Sequence, residues 1–120
     1  MIVGVGLDVV DIERIEKAYI KRKTFVDRVL TEKEAALFHV MADKRKIEFL
    51  AGRFSVKEAF SKALGTGIGK VTFKDIEVLP DERGKPVVTK SPFDGKVWVS
   101  ISHTGSLAVT QVILEKIEHI

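Results

Sequence analysis

The apolar residues of this chain change their period once, at a glycine-rich stretch, and that change dictates a mixed fold. From Lys44 to Leu64 the set Ile47, Leu50, Ala51, Phe54, Phe60, Ala63 and Leu64 follows a helical repeat, and Gly65 supplies a natural C-terminal stop. Beyond Gly65-Thr66-Gly67-Ile68-Gly69 the repeat becomes two. Phe73–Leu79 sets Ile76 and Val78 against Asp75 and Glu77, Asp81-Glu82-Arg83-Gly84 reads as a turn, and Pro86–Thr89 returns as a strand. Val97, Val99 and Ile101 then alternate with Trp98, Ser100 and Ser102, and Leu107–Leu114 supplies a last strand. Ahead of the long helix, residues 2–10 read as a buried strand. Asp11 caps a short helix with Ile12, Ile15 and Tyr19 inside and Arg14, Lys17 and Lys21 outside. A second short helix covers Phe25–Leu30. Thr31 with Glu34 has the form of a capping box, opening a helix from Glu32 to about Met41. One strand, then helices, then strands predicts an α+β fold, with a mainly antiparallel sheet packed against one long helix and several shorter ones. Without repeat, linker or low-complexity segment, residues 1–120 are expected to form a single domain.

Composition removes several classes. The absence of cysteine excludes disulfides, thiolate zinc sites and a cysteine nucleophile. No apolar run approaches the roughly 20 residues of a membrane helix. The opening Met1–Leu7 lacks a basic n-region and is interrupted by Asp8, so the expected location is cytoplasmic, without membrane contact. The net charge of +3 is unevenly laid out: the first 13 residues hold acids only, and the basic excess lies between Arg14 and Lys62. That distribution anticipates an anionic partner.

Four features bear on chemistry. Gly4-x-Gly6 lacks a third glycine at position 9, and Gly65-x-Gly67-x-Gly69-Lys70 follows a helix instead of opening one, so neither is a nucleotide-binding fingerprint. The second stretch reads as a cap and turn, although glycines also let a ligand approach backbone. Asp8 ends an apolar strand and needs a partner if buried: a helix N-terminus, a basic side chain or a metal. On the long helix, Glu58 and Lys62 are i,i+4 neighbours with Ser61 beside them, Arg53 and Lys57 form a second such pair, and Lys44-Arg45-Lys46 opens the helix. This is either a solvated face or a carboxylate for a divalent metal flanked by cations for phosphate. Asp8 with Glu58 would suffice for Mg²⁺, which often takes one or two protein carboxylates and completes its shell with phosphate oxygens and water. His103, in Ser100-Ile101-Ser102-His103-Thr104-Gly105, is either a structural strand-end residue or, with Thr104, a donor to an anion. His39 and His119 lack zinc-like spacing to it.

Three segments carry a resemblance to a known family. Gly6-Leu7-Asp8-Val9-Val10-Asp11-Ile12-Glu13-Arg14 resembles the first signature of the 4'-phosphopantetheinyl transferases. Phe54-Ser55-Val56-Lys57-Glu58-Ala59-Phe60-Ser61-Lys62-Ala63-Leu64-Gly65-Thr66-Gly67 matches the second, and Ser100-Ile101-Ser102-His103-Thr104 the third. The size is that of the family's short, single-domain branch. The resemblance implies the 4'-phosphopantetheinyl transferase fold. It also implies transfer of the 4'-phosphopantetheine group of coenzyme A to a serine of an apo acyl carrier protein, releasing adenosine 3',5'-bisphosphate. Asp8 and Glu58 would hold Mg²⁺, Glu58 and Lys62 would be catalytic, and Lys44, Arg45, Arg53, Ser61, Gly65, Pro86, His103 and Thr104 would bind coenzyme A. Arg14, Lys17, Lys21 and Arg22 would receive the acidic carrier, and the assembly would be a homotrimer with sites between protomers. The product would serve fatty acid synthesis. Two rivals are weaker. A nucleic-acid-binding domain would want an aromatic stacking platform, whereas Phe25, Phe38, Phe49, Phe54 and Phe60 read as core. A non-catalytic adaptor binding acidic helices through Arg14–Arg22 leaves Asp8, Glu58 and Lys62 without a shared purpose.

Overall fold

A computed structural model describes residues 1–117. Strand β1 (Ile2–Asp11) leads into α1 (Ile12–Lys21), α2 (Phe25–Val29), α3 (Glu32–His39) and the long α4 (Asp43–Leu64). A 3₁₀ turn (Phe73–Asp75) precedes β2 (Glu77–Pro80), β3 (Pro86–Lys90), β4 (Lys96–His103) and β5 (Leu107–Glu115). The strands form an antiparallel sheet in the order β1-β5-β4 and a separate antiparallel pair, β2-β3. The α+β architecture is the one expected.

Helix α4 is the axis of the molecule. It lies on the inner face of the three-stranded sheet, with the short helices and the β2-β3 pair against its remaining sides. One core cluster gathers Val10, Ile15, Val29, Phe38, Leu50 and Ala108 around its first half. A second gathers Val56, Phe60, Ile76, Val78, Val112 and Leu114 around its second half. Twelve of its 22 residues are buried, Arg53, Ser55, Lys57 and Ser61 among them, so α4 is a central helix and not a surface one with a solvated stripe.

Local chemistry sets the boundaries. At the start of α3, Thr31 N donates to Glu34 Oε1 at 2.9 Å and Glu34 N to Thr31 Oγ1 at 3.3 Å, the reciprocal pair that the sequence announces. Helix α4 stops at Gly65, whose φ of 85° is left-handed and ordinary only for glycine. Asp11 does occupy the N-cap of α1, but its side chain makes no capping hydrogen bond, and Ile12 N donates to Ser106 O. Strand pairing begins only at Glu77, not at Phe73. Asp75 Oδ2 accepts from Thr72 N at 2.9 Å and winds Phe73–Asp75 into a tight turn.

Strand β1 corrects a second expectation. It is an edge strand buried on one face only: Gly6, Asp8 and Val10 point inward, whereas Val5, Leu7 and Val9 are each 56% exposed. Trp98 on β4 shares this outer face through its register with Ile113 and is also exposed. Of the phenylalanines expected in the core, Phe38, Phe49 and Phe60 are buried. Phe25 and Phe54 are half-buried, and Phe54 stacks on Phe73 at 5.2 Å.

Candidate active site

The contact between β1 and α4 creates the first half of the site. A Cβ on Gly4 or Gly6 would run into the backbone carbonyls of Ala63 and Ala59 respectively. The strand therefore approaches the helix at glycine-to-alanine distance, and Gly4-x-Gly6 is a packing motif. This approach seats Asp8 beside the last turns of α4. Lys62 Nζ donates to Asp8 Oδ1 at 3.0 Å and to Leu7 O at 3.1 Å, while Ser55 Oγ donates to Asp8 Oδ2 at 2.8 Å and shares a 2.7 Å bond with Thr110. Of the partners open to Asp8, the structure supplies a basic side chain. Lys62 thus pairs with Asp8, and the i,i+4 spacing to Glu58 serves a three-sided cluster instead of a helix-surface pair.

Glu58 completes that cluster. Among the described residues no hydrogen bond or ion pair engages its carboxylate. Partial burial pushes its carboxyl above the usual range, the nearby Asp8 adds to the effect, and Lys62 and Arg14 oppose it. Two adjacent carboxylates, one of them without a donor, have the charge and chemistry to take a divalent cation. No group of three metal-ligating side chains occurs among the described residues, so the remaining ligands would be phosphate oxygens and water, as Mg²⁺ prefers.

The basic half lies on the other flank of α4. Arg53 and Glu58 are five residues apart, about 140° around the helix. Arg45, Glu48, Gly52, Arg53, Pro86 and His103 line a cleft of about 260 Å³ between α4, β4 and the β2-β3 turn, and none of Asp8, Glu58 and Lys62 reaches it. Arg53 Nε donates to Val78 O at 3.1 Å, and its guanidinium lies 4.2 Å from the centroid of the Phe49 ring. Burial pushes Arg53 down to about 10, with Glu34 opposing and Arg45 contributing. His103 Nδ1 stands 3.4 Å from Glu48 Oε2, which leaves Nε2 for a ligand.

Other expected residues stand elsewhere or are occupied. Lys44 lines a different and larger cleft of about 600 Å³ between α1 and the start of α4, because consecutive helical residues diverge by about 100°. Ser61 is fully buried and its hydroxyl donates to Glu58 O at 2.7 Å, so that side chain does not face a ligand. Thr104 Oγ1 accepts from Ser106 N and Leu107 N and builds the β4-β5 turn, leaving only its hydroxyl hydrogen for an anion. Gly65 faces open space. On α1, Arg14, Lys17 and Lys21 are exposed, as is Arg22 just beyond its end; Lys17 is paired with Glu13 at 3.1 Å, and Arg14 also bears on Glu58.

Sequence reasoning missed one group altogether. Lys57, read as half of a surface pair with Arg53, is completely buried, and its Nζ donates to Glu34 Oε1 at 2.5 Å and to Val29 O at 2.6 Å. Burial lowers the Lys57 ammonium from its usual value against the pull of Glu34. The signal was spacing: position 57 lies seven residues after Leu50 and three before Phe60, on the apolar side of the helix.

The arrangement has counterparts in known proteins. A holo-[acyl-carrier-protein] synthase from Streptococcus equi subsp. zooepidemicus is 56% identical over 115 residues, covering 96% of this chain and 98% of its own. One from Geobacillus sp. is 51% identical over 118 residues, covering 98% and 99%. The crystal structure of a holo-(acyl-carrier-protein) synthase from Bacillus anthracis, in complex with CoA (3',5'-ADP), matches with a TM-score of 0.90 and 50% identity over 97% of this chain and 98% of that one. The family model described as the 4'-phosphopantetheinyl transferase superfamily matches residues 4–112. With Asp8, Glu58 and Lys62 gathered at one end of α4 and that match running through nearly the whole chain, the protein belongs to the 4'-phosphopantetheinyl transferase superfamily.

Proposed function

We propose that this chain, as a single catalytic domain, transfers the 4'-phosphopantetheine group of coenzyme A to a serine hydroxyl of an apo acyl carrier protein. The products are adenosine 3',5'-bisphosphate and the holo carrier used in fatty acid synthesis. The observation that carries the reading is the cluster of Asp8, Glu58 and Lys62 where β1 meets α4. The serine oxygen bonds to the β-phosphorus of coenzyme A as the bond from that phosphorus to the bridging oxygen breaks. Such transfer needs positioning and charge neutralisation more than covalent help. Glu58, whose carboxylate has no donor among the described residues, would accept the serine proton, directly or through a water. Lys62 faces the leaving phosphate and neutralises the charge that develops there. Asp8 and Glu58 would hold Mg²⁺, which supplies Lewis-acid screening of the two phosphates when bound.

The cleft of Arg45, Arg53, Pro86 and His103 suits the 3'-phosphate and adenine of coenzyme A, since Arg offers a rigid donor fork for phosphate. Arg14, Lys21 and Arg22 on α1, with Lys17 at their edge, would steer an acidic carrier toward Glu58. A homotrimer with sites between protomers accounts for two further observations. The acidic and basic halves stand on opposite flanks of α4, and the outer face of β1 leaves Val5, Leu7 and Val9 in solvent as a contiguous apolar strip that a neighbour could cover. No helix among the described residues is long and apolar enough to cross a membrane, in keeping with a cytoplasmic enzyme that acts on a protein and a coenzyme. The test is intact-mass measurement of apo carrier incubated with coenzyme A and Mg²⁺. A metal-dependent gain of one phosphopantetheine on the serine is expected, and no gain across several carriers would defeat the reading.

A further inference from the structure

Val78 is the one residue of the β2-β3 pair that side chains grip from both sides of its backbone. Its N–H donates to Glu34 Oε2 at 2.8 Å, and its carbonyl accepts from Arg53 Nε at 3.1 Å. Glu34 is in turn fixed by Lys57 and by Thr31 N, both on its Oε1. Lys57 extends the brace to the end of α2 through Val29 O. The β2-β3 pair shares no ladder with the three-stranded sheet; it is held by such grips, by the packing of Val78 and Ile76, and by β3 lying against β4. Pro80 and Pro86, at the far end of the same pair, form one wall of the basic cleft. Arg53 forms another.

A buried ion pair seldom stabilises a fold more than apolar side chains of the same shape would, because desolvation cancels most of its attraction. What it does provide is fixed direction. Glu34 and Lys57 are each fully buried, and beyond their own contact the pair between α3 and α4 meets three backbone groups, Val29 O of α2, Thr31 N at the cap of α3 and Val78 N of β2. We infer that Glu34 and Lys57 are positioning residues for the basic cleft: through Val78 the pair sets where Arg53 and the Pro80–Pro86 wall stand relative to one another. The inference rests on the reading of that cleft as the coenzyme A site.

The test pairs Glu34→Gln with Lys57→Met, which removes both charges at nearly constant volume and turns an amide donor toward groups that need an acceptor. Initial rates with coenzyme A and apo carrier varied separately should show the KM for coenzyme A raised about tenfold, with kcat and the KM for carrier within about twofold. Exchange of the Val78 amide should accelerate. A parallel arm uses Arg45→Ala, which should weaken coenzyme A binding measured by calorimetry. If Arg45→Ala loses affinity while the double variant keeps it, the cleft stands as the coenzyme A site and the positioning role is overturned. If Arg45→Ala binds as wild type does, the site assignment fails and the inference falls with it. A double variant in which kcat and both KM values shift together overturns the inference as well, because that is the pattern of a general structural loss. Should the double variant not fold, Thr31→Val loosens the same wall and the seat of Glu34 while keeping both buried charges, since Thr31 Oγ1 donates to Glu77 Oε2 at 2.6 Å and accepts from Glu34 N at 3.3 Å. It should raise the KM for coenzyme A about threefold with the carrier KM unmoved, and an unchanged coenzyme A KM overturns the inference.

Discussion

Replacing Gly6 with alanine adds one methyl group at the point where β1 and α4 touch. That methyl would lie 2.8 Å from Ala63 N and nearer still to the carbonyl oxygen of Ala59. Both atoms belong to the main chain of a 22-residue helix, so neither can swing aside. The helix must back away by on the order of 1 Å to restore ordinary contact distances. Overpacking of this kind costs about 1–3 kcal/mol of stability. The effect on transfer is larger, because Asp8 follows two residues along the same strand and meets Lys62 at 3.0 Å. A displacement of ~1 Å between those elements predicts a fall in kcat of about 100-fold. The assay is carrier modification followed by intact mass, run at a temperature where circular dichroism shows wild type and variant equally folded. Gly105→Ala is the control: its methyl would meet nothing within 4 Å, so the substitution should leave both fold and rate unchanged. A folded Gly6→Ala enzyme with kcat within twofold of wild type would refute the claim that close approach sets the site.

Glu58→Gln should lower transfer by about 10² to 10⁴-fold, the usual worth of a positioned base, while carrier binding measured by calorimetry is retained. The same variant should melt higher than wild type at pH values above the folded Glu58 pKa. A carboxyl whose pKa is raised by folding contributes stability at low pH and loses it as pH rises through the folded pKa, so removing the charge relieves the fold there. Carboxyl NMR of the metal-free protein should show Glu58 titrating above ordinary glutamates, and Asp8→Asn should move that midpoint down, because it removes the adjacent negative charge. Leu7→Glu places a carboxylate in the exposed apolar face of β1 and should yield monomers by light scattering, with transfer lost, whereas a trimer of full activity would remove that face from the interface. Arg14→Glu should raise the KM for carrier about tenfold and flatten its salt dependence, and an equal rise for coenzyme A would contradict the division of roles.

The elements that were legible in the sequence are those whose cause is local. The capping box at Thr31 and Glu34, the stop at Gly65 and the alternation of Val97, Val99 and Ile101 each depend on residues a few positions apart, and each is realised. Periodicity reports which residues share a face; it does not report what covers that face. For that reason β1, apolar at nearly every position, read as buried on both sides although one side is bare, and Lys57 read as part of a polar helix face although α2 and α3 engage it in the interior. The same blindness affected the site. Glu58 and Lys62 were found by spacing, but Lys62 turns to Asp8, 54 positions away, because Gly4 and Gly6 draw the strand onto the helix. The two glycines and the carboxylate are consecutive inward-facing residues of one strand. They act as one device, in which the absence of side chains at positions 4 and 6 carries the acid at position 8 into reach of the helix. In this chain the helix surface that receives the two glycines carries small residues at i and i+4, Ala59 and Ala63, and Lys62 between them is the residue that meets Asp8.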